Sequence, residues 1–316
     1  MTRIATTAAT PILLPMGEGW EDENRTRDTA PGSVSMGKTL SRSDRFRRSS
    51  SAVMTSLTAL CTFVAVGVLI VILSYIAMRG IGALNFRFLV DTPRPVGEGG
   101  GIGNAIVGSG MLLLLSCAVG IPVGIACGIY LSEFGGGWFV SAVRFLIDTL
   151  TGIPSIVTGV FVYAVIVLRM KHFSAFAGGI ALALIIIPIV ARTTEEMIKL
   201  VPHSLREGAL ALGAPQWRVT LGVVLPAAAS GIATGAMLAI ARVSGETAPL
   251  LFTAFGSRFF PRNLNEPIAS LTVQIYNYAI SPYDEWHAQA WAATLVLMTL
   301  ILLINITVRF FTRKRF

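Results

Sequence analysis

The sequence predicts an all-α membrane protein with six transmembrane helices, and three observations carry that reading. Of its 316 residues 53% are apolar and only 13% charged, too few charges to solvate the surface of a water-soluble domain. Several stretches of about 20 residues or more carry no charge, the length that crosses a hydrocarbon core of about 30 Å. The basic residues gather in the tails and between these stretches, which assigns the net charge of +8 to topology and excludes a nucleic-acid-binding face.

The spans follow in order. Val53 to Met78 and Ala105 to Tyr130 are uncharged throughout. Thr149 to Leu168 lies between Asp148 and Arg169, and Phe173 to Ala191 follows after a very short connection. A fifth span runs from Ala227 to about Phe255 and contains Arg242 and Glu246; the sixth is Ala288 to Val308. With the N-terminus inside, the inner segments hold Lys38 to Arg48, Arg144, Arg192, Lys199, Arg206, Arg218 and the Arg309 to Arg315 tail, against fewer basic residues outside. The positive-inside rule therefore places both termini in the cytoplasm, although the short RMKH turn at 169–172 opposes it locally.

The first 50 residues are rich in Ser, Thr, Gly, Pro and charge and read as a disordered cytoplasmic tail rather than a signal peptide. Within the tail, Gly32 to Thr39 (GSVSMGKT) matches the pattern of a phosphate-binding loop. Such a loop needs a buried strand before it and a helix after it. The flanks EDENRTRDTAP and LSRSDRFRRSS supply neither, so no nucleotide site is expected there. Cys61, Cys117 and Cys127 all lie in apolar stretches with no disulfide or metal-ligand spacing and read as small apolar residues.

Inside the spans, Ser116, Gly120, Gly124 and Gly128 recur every fourth residue, as do Ala227, Gly231 and Gly235. Such faces let helix backbones approach closely in lipid. Pro122 and Pro154 free a backbone carbonyl and permit a kink. Arg242 and Glu246 are four residues apart, which puts them on one face of a continuous helix and within pairing distance. Counted from Ala227 at about 1.5 Å per residue, Arg242 lies about 22 Å along its span. A charge at such a depth costs about 3 kcal/mol and must face protein or water. Two roles fit: a structural ion pair, or an anion-attracting group in a transport path, where the planar guanidinium suits a phosphate-like oxyanion.

No catalytic constellation is present. His172, His203 and His287 are isolated near span boundaries, and Glu195 and Glu196 read as solvated charges. The segment from about 192 to 226 is different. Met197, Ile198, Val201, Leu205, Ala209 and Leu212 recur at a roughly helical spacing interrupted at Pro202, and Gly213 followed by Pro215 forms a helix stop. Two short helices joined by a turn are expected across the cytoplasmic surface, either as an interfacial hairpin or as a knob for a soluble partner.

This segment resembles the EAA loop of ABC importer permeases, E-A-A-x3-G-x9-I-x-L-P. Glu207, Gly208 and Ala209 stand for EAA, Gly213 for the glycine, Val223 for the isoleucine and Leu225 with Pro226 for the final pair, with Gly208 and Val223 as conservative departures. GGIGNAIVGSG (100–110), LIDTLTGIPSIVTGVF (146–161), RTTEEMIKLVPHSLREGALALGA (192–214) and ARVSGETAPLLFTA (241–254) together resemble the PstA-type permeases of phosphate importers. The likeness covers about residues 50–316. It implies a MetI-like permease fold in a prokaryotic plasma membrane, lipid-embedded, with no catalytic residue, metal or cofactor of its own. Implied partners are a second, PstC-type permease, a dimer of ABC ATPases and an extracytoplasmic phosphate-binding protein. By the same likeness Arg206, Glu207, Gly208, Ala209, Gly213, Leu225 and Pro226 couple to the ATPase, and Arg242 with Glu246 lies on the phosphate path. A permease for sulfate or molybdate is the nearest alternative. The PstC-type partner is disfavoured by GETAPL, a channel by the coupling loop, and an intramembrane enzyme by the missing catalytic groups.

Overall fold

The computed structural model describes residues 42–134 and 136–313 of the chain. The 32–39 phosphate-loop match and all but the end of the expected tail lie outside the described residues. The first helix, α1 (Arg42–Ile81), takes in the last residues of the expected tail.

The remaining helices are α2 (Phe86–Val90), α3 (Gly103–Glu133), α4 (Trp138–Gly152) and α5 (Ser155–Val162), the last running through a π turn (Tyr163–Val167) into α6 (Leu168–Met170). There follow α7 (Ala175–Lys199), α8 (His203–Ala211) and α9 (Gln216–Val219), the last joined through a second π turn (Thr220–Val224) to α10 (Leu225–Val243). Finally come α11 (Ala248–Thr253), α12 (Leu271–Ala279) and α13 (Asp284–Arg313). Among the described residues β-pairing is confined to two isolated bridges.

Two compact units divide the chain, Met1–Ala65 and Val66–Phe316. In the first, the described side chains of α1 from Val53 onward are exposed and mostly apolar, as lipid contact requires. The second unit holds the helices considered below.

Five helices are long and apolar enough to span a bilayer: Val53–Ile81, Gly103–Glu133, Ala175–Lys199, Gln216–Val243 and Asp284–Thr307. The expected third span is corrected. α4 and the α5–α6 segment meet at an angle of 107°, so Thr149 to Leu168 is not one straight helix. Pro154 is the cause, because its ring drives the preceding residue out of the helical region, and Ile153 accordingly sits at φ −71, ψ 132. The fifth span is shifted as well: it begins at Gln216 and stops at Val243, not at Phe255. Pro249 would lie inside a continuous helix; instead it occupies the first turn of α11, where its missing N–H is tolerated. Pro122 and Pro188, by contrast, sit inside unbroken α3 and α7.

The small residues of α3 meet α7. A side chain added at Gly120, Gly124 or Gly128 would strike Ile186, Val190 or Thr194 in turn, so the partner advances by four as the glycine does and the two helices run parallel. The stripe thus lets β-branched side chains seat against bare backbone. α10 packs on α7 in the opposite sense, with Gly231 against Met197 and Gly235 against Thr193. Leu112, Leu182, Ile186, Val190, Val243, Leu250 and Ile268 fill the core that these helices enclose.

The two ends of α7 define two ends of this unit. At its N-terminus Ser174 caps the helix by accepting from the Ala177 N–H, and the N–H groups of Ser174, Ala175 and Phe176 donate to the carbonyls of Thr253, Glu266 and Leu264. The 254–270 loop therefore lies at that end. About 37 Å away, at 1.5 Å per residue, the C-terminal end of α7 leads into α8.

Substituting Ala for Gly128 would bring a Cβ within 2.6 Å of the Ala191 carbonyl oxygen, whereas Gly110 of the same helix faces open space. Gly128→Ala is expected to destabilise the purified protein by about 1–3 kcal/mol, seen as a lowered thermal unfolding midpoint. Gly110→Ala should leave the midpoint unchanged, and equal midpoints for the two would refute the role given to the α3–α7 contact.

Candidate functional site

α8 projects from the α7 end of the unit with no buried residue. Leu205, Leu210, Leu212 and Trp217 around it are large, apolar and exposed, Leu212 at 89%. Its end is built by Gly213, whose φ of 80° favours glycine. The Gly213 N–H donates to Leu210 and the Ala214 N–H to Ala209, the paired bonds of a Schellman stop. Glu207 and Gly208 face outward, and a Cβ at Gly208 would meet nothing within 4 Å, so alanine fits that position equally well. Ala209 turns inward and joins Ile198, Val201, Val219 and Val224 in a small core beneath the helix.

Arg206 also turns inward. Its guanidinium bonds to Glu133 at the C-terminal end of α3 and, at 3.0 Å, to the Ile198 carbonyl of α7. The other oxygen of Glu133 accepts from Thr220 Oγ1 at 3.1 Å, in the π turn that leads to α10. One carboxylate, 5% exposed, thereby ties α8, α3 and the root of α10 together. Thr220–Val224 widens into a π turn directly before Pro226, whose ring would otherwise press on the carbonyl of Gly222. Leu225 and Pro226 form the first turn of α10.

The segment expected as one cytoplasmic loop from about 192 to 226 is continuous with the helices on either side of it. Residues 192–199 continue α7 and 216–226 already belong to the next span. The change recasts Glu195. Far from being solvated, it is 1% exposed and receives Arg144 Nε at 3.0 Å and NH2 at 2.7 Å from α4, together with Lys199 Nζ. Arg192 approaches it at 3.5 Å and also reaches Glu196 at 3.0 Å and Asp148 at 3.9 Å. Glu196 remains about half exposed, as a solvated charge would be. Three cations and three carboxylates so pin α4 to the end of α7. Glu133, Arg144 and the burial of Glu195 escaped sequence reading, because their partners are distant in the chain; only the Glu195–Lys199 spacing of four was a local signal.

Arg242 and Glu246 do not share a helical face. α10 ends at Val243, Gly245 and Glu246 form a turn closed by their N–H groups on Arg242 and Val243, and no ion pair joins the two side chains among the described residues. Arg242 is exposed on this chain. Glu246 lines a cavity of about 70 Å³ with Ser109, Ser244, Ser270 and Thr272 on a largely leucine wall. Thr272 Oγ1 donates to the Glu246 carbonyl at 2.9 Å and fixes the turn. Breaking the helix therefore separates two charges that a continuous helix would have paired. Among the described residues no group of His, Cys, Asp and Glu is placed to hold a metal ion.

A multi-helix membrane unit with an exposed amphipathic knob at one end and a broken, polar-lined helix in its interior defines a transport permease rather than an enzyme. The chain belongs to the family of binding-protein-dependent transport system inner membrane components, whose model matches residues 120–316, and within that family to the PstA group. It is 49% identical over 249 residues to the "Phosphate transport system permease protein PstA" of Yersinia pestis, covering 78% of this chain and 84% of that protein. To the protein of the same name from Pasteurella multocida it is 45% identical, over 84% of this chain and 95% of the relative. Among solved structures, an inward-facing MetNI methionine ABC transporter matches with a TM-score of 0.54 at 19% identity, covering 67% of this chain and 96% of the other. A bacterial ABC transporter that imports the polysaccharide alginate matches at 0.56 and 14% identity, covering 85% and 99%. These two establish the MetI-like fold.

The Glu133 clamp is open to a thermodynamic cycle. Glu133→Gln leaves the Arg206 charge without its partner in a mostly buried place and is expected to cost about 3 kcal/mol of stability. Arg206→Gln should cost a similar amount, and the double variant clearly less than the sum. Additive losses in unfolding of the purified permease would mean that the pair is not coupled.

Proposed function

We propose that this chain is one of two membrane permease subunits of an ATP-driven phosphate importer, contributing half of the anion path and receiving force through α8. The observation that carries the coupling half of this reading is the clamp at Glu133. A helix whose outer face meets only solvent in this chain, yet which a buried carboxylate ties to α3 and to the root of α10, the span it leads into past Gly213, is built to pass displacement on. The phosphate half is carried by the relatives, which are phosphate transport permeases by name.

In this reading a pair of ABC ATPases docks on α8 of this chain and of a PstC-type partner, in the inner membrane of a prokaryotic cell with both termini cytoplasmic. Glu207, Gly208 and the exposed leucines meet the ATPase, Gly213 shapes the knob, and Arg206 holds it from behind. ATP binding draws the two α8 helices together. The motion passes through the Thr220–Val224 turn, Leu225 and Pro226 into α10 and shifts the break at Gly245, where Arg242 and Glu246 sit. An extracytoplasmic binding protein delivers phosphate to the other end, and the path opens to each side in turn. Arg242 supplies a fixed positive charge along the path and Glu246 limits how tightly an anion is held. A closely related oxyanion such as sulfate or molybdate is the second reading, distinguished by whether either competes with labelled phosphate for uptake.

Glu207→Lys and Gly213→Pro are each expected to abolish ATP-driven phosphate uptake while the chain still inserts in the membrane, with the ATPase no longer co-purifying. Normal uptake by either variant would refute the docking role of α8. Arg242→Gln is expected to lose uptake at least tenfold, as removal of one charge-assisted contact of roughly 1.5–3 kcal/mol implies, with the complex still assembled. Failure of assembly instead would assign Arg242 a structural role.

A further inference from the structure

At the end of the unit opposite α8 lies a second cavity, of about 270 Å³, well above the roughly 10–15 Å³ that a single water needs. Three segments build it: the loop after α2, the 255–258 stretch of the loop that covers the N-terminus of α7, and the outer part of α12 with the start of α13. Its polar lining is dominated by donors. Arg94 and Arg258 supply guanidinium groups, Gln274 and Asn277 amides, Tyr278 a phenol and Trp286 an indole N–H, and no carboxylate residue lines it.

Two of these groups, the Tyr278 hydroxyl and the Trp286 indole N–H, lie behind the accessible wall. Tyr278 is 3% exposed with its hydroxyl beside Gln274, and the buried Nε1 of Trp286 has no hydrogen-bond partner among the described residues. Both atoms are sealed from water, so the charged and amide side chains left to face the cavity are Arg94, Arg258, Gln274 and Asn277. The rings are held in place by each other, stacked with centroids 5.1 Å apart, and Tyr283 meets Trp286 edge-on at 5.6 Å. Burial pushes the Tyr278 phenol above its ordinary pKa, opposed by its hydrogen bond to Gln274 and the Arg258 charge and aided by the Glu285 carboxylate. Arg258 makes no ion pair among the described residues. Arg94 has only Asp91, at 3.5 Å and substantially exposed. The nearby Glu285 is engaged elsewhere, accepting from the Gly97 N–H at 2.7 Å.

The cavity also adjoins the interior. α12 contributes Thr272 to the small cavity at Glu246 and Gln274, Asn277 and Tyr278 to the large one, so a single short helix walls both. We propose that the larger cavity is a transient binding site for a tetrahedral oxyanion, inorganic phosphate, held by Arg258 and Arg94 with the Gln274 and Asn277 amides before it passes toward Glu246. This rests on the importer reading and adds to it a place where the anion waits after delivery. Two guanidinium groups beside two neutral amides suit that task, because they recognise the oxyanion without a fixed cage of charges around it.

The test is local. In the assembled transporter, with Cys61, Cys117 and Cys127 replaced by Ser, Asn277→Cys places a thiol on the exposed wall of the cavity. Inorganic phosphate at about ten times its dissociation constant is expected to slow modification of that thiol by a small neutral maleimide about tenfold, with chloride at equal ionic strength having no effect. Adding Arg258→Gln should raise the phosphate concentration needed about tenfold, the loss of one charge-assisted bond, and Arg258→Lys should restore most of the protection. Equal modification rates with and without phosphate would overturn the proposal. So would protection that only the binding protein confers, which would make the cavity a protein-docking surface. ATP-driven uptake of labelled phosphate by the wild-type complex is read separately: its absence would refute the importer reading, whereas its presence beside an unprotected thiol refutes only this site.

Discussion

Close parallel packing of α3 against α7 is the contact on which the rest of this protein is assembled. Within a bilayer the hydrophobic effect does not draw helices together, so association must come from dispersion contact and polar bonds. Gly120, Gly124 and Gly128 remove the side chains that would hold the backbones apart, and Ile186, Val190 and Thr194 occupy the space with stiff β-branched groups. Ile186, Val190 and Thr194 are wholly buried as a result. α7 then presents its other side to α10, whose Gly231 and Gly235 repeat the device in the antiparallel sense.

That register places chemistry at the ends. Because α3 and α7 run in the same direction, their C-termini finish together, and each carries a buried carboxylate there: Glu133 on α3 and Glu195 on α7. Glu133 collects Arg206 and Thr220 and Glu195 collects Arg144 and Lys199, so α8, the π turn and α4 are all hung from the ends of one helix pair. Buried ion pairs of this kind add little net stability but penalise any arrangement that separates them. With the Thr220 bond, they join α8, the π turn and α4 to the ends of α3 and α7.

At the other end the logic is the reverse. There the N-terminus of α7 is capped by backbone carbonyls of a long loop, and the donors around that loop outnumber the acceptors. Between the two ends the chain is broken at Ile153–Pro154 and again between Val243 and Ala248, both at prolines or just before them. Such breaks leave backbone groups that only protein or water can satisfy. The Thr272 bond to the Glu246 carbonyl is one such compensation.

Much of this was determined by the sequence alone. The uncharged runs, the four-residue spacing of glycines, the Pro202 and Gly213 limits of α8 and the EAA-like pattern are local signals, each set by sterics or transfer energy over a few residues. They were sufficient for the fold class, the limits of α8 and the family. What the tertiary structure decided is where partners come from distant parts of the chain. Apolar periodicity cannot see that a span bends by 107° or that Arg242 and Glu246 lie on either side of a helix end, because a run of leucines and alanines reads alike on both sides of a break. Nor does any local spacing reveal that Arg206 faces Glu133, 73 residues earlier, instead of the solvent that its neighbour Glu207 meets. A helix position gives only a direction around its own axis; which direction is inside is settled when the other helices arrive.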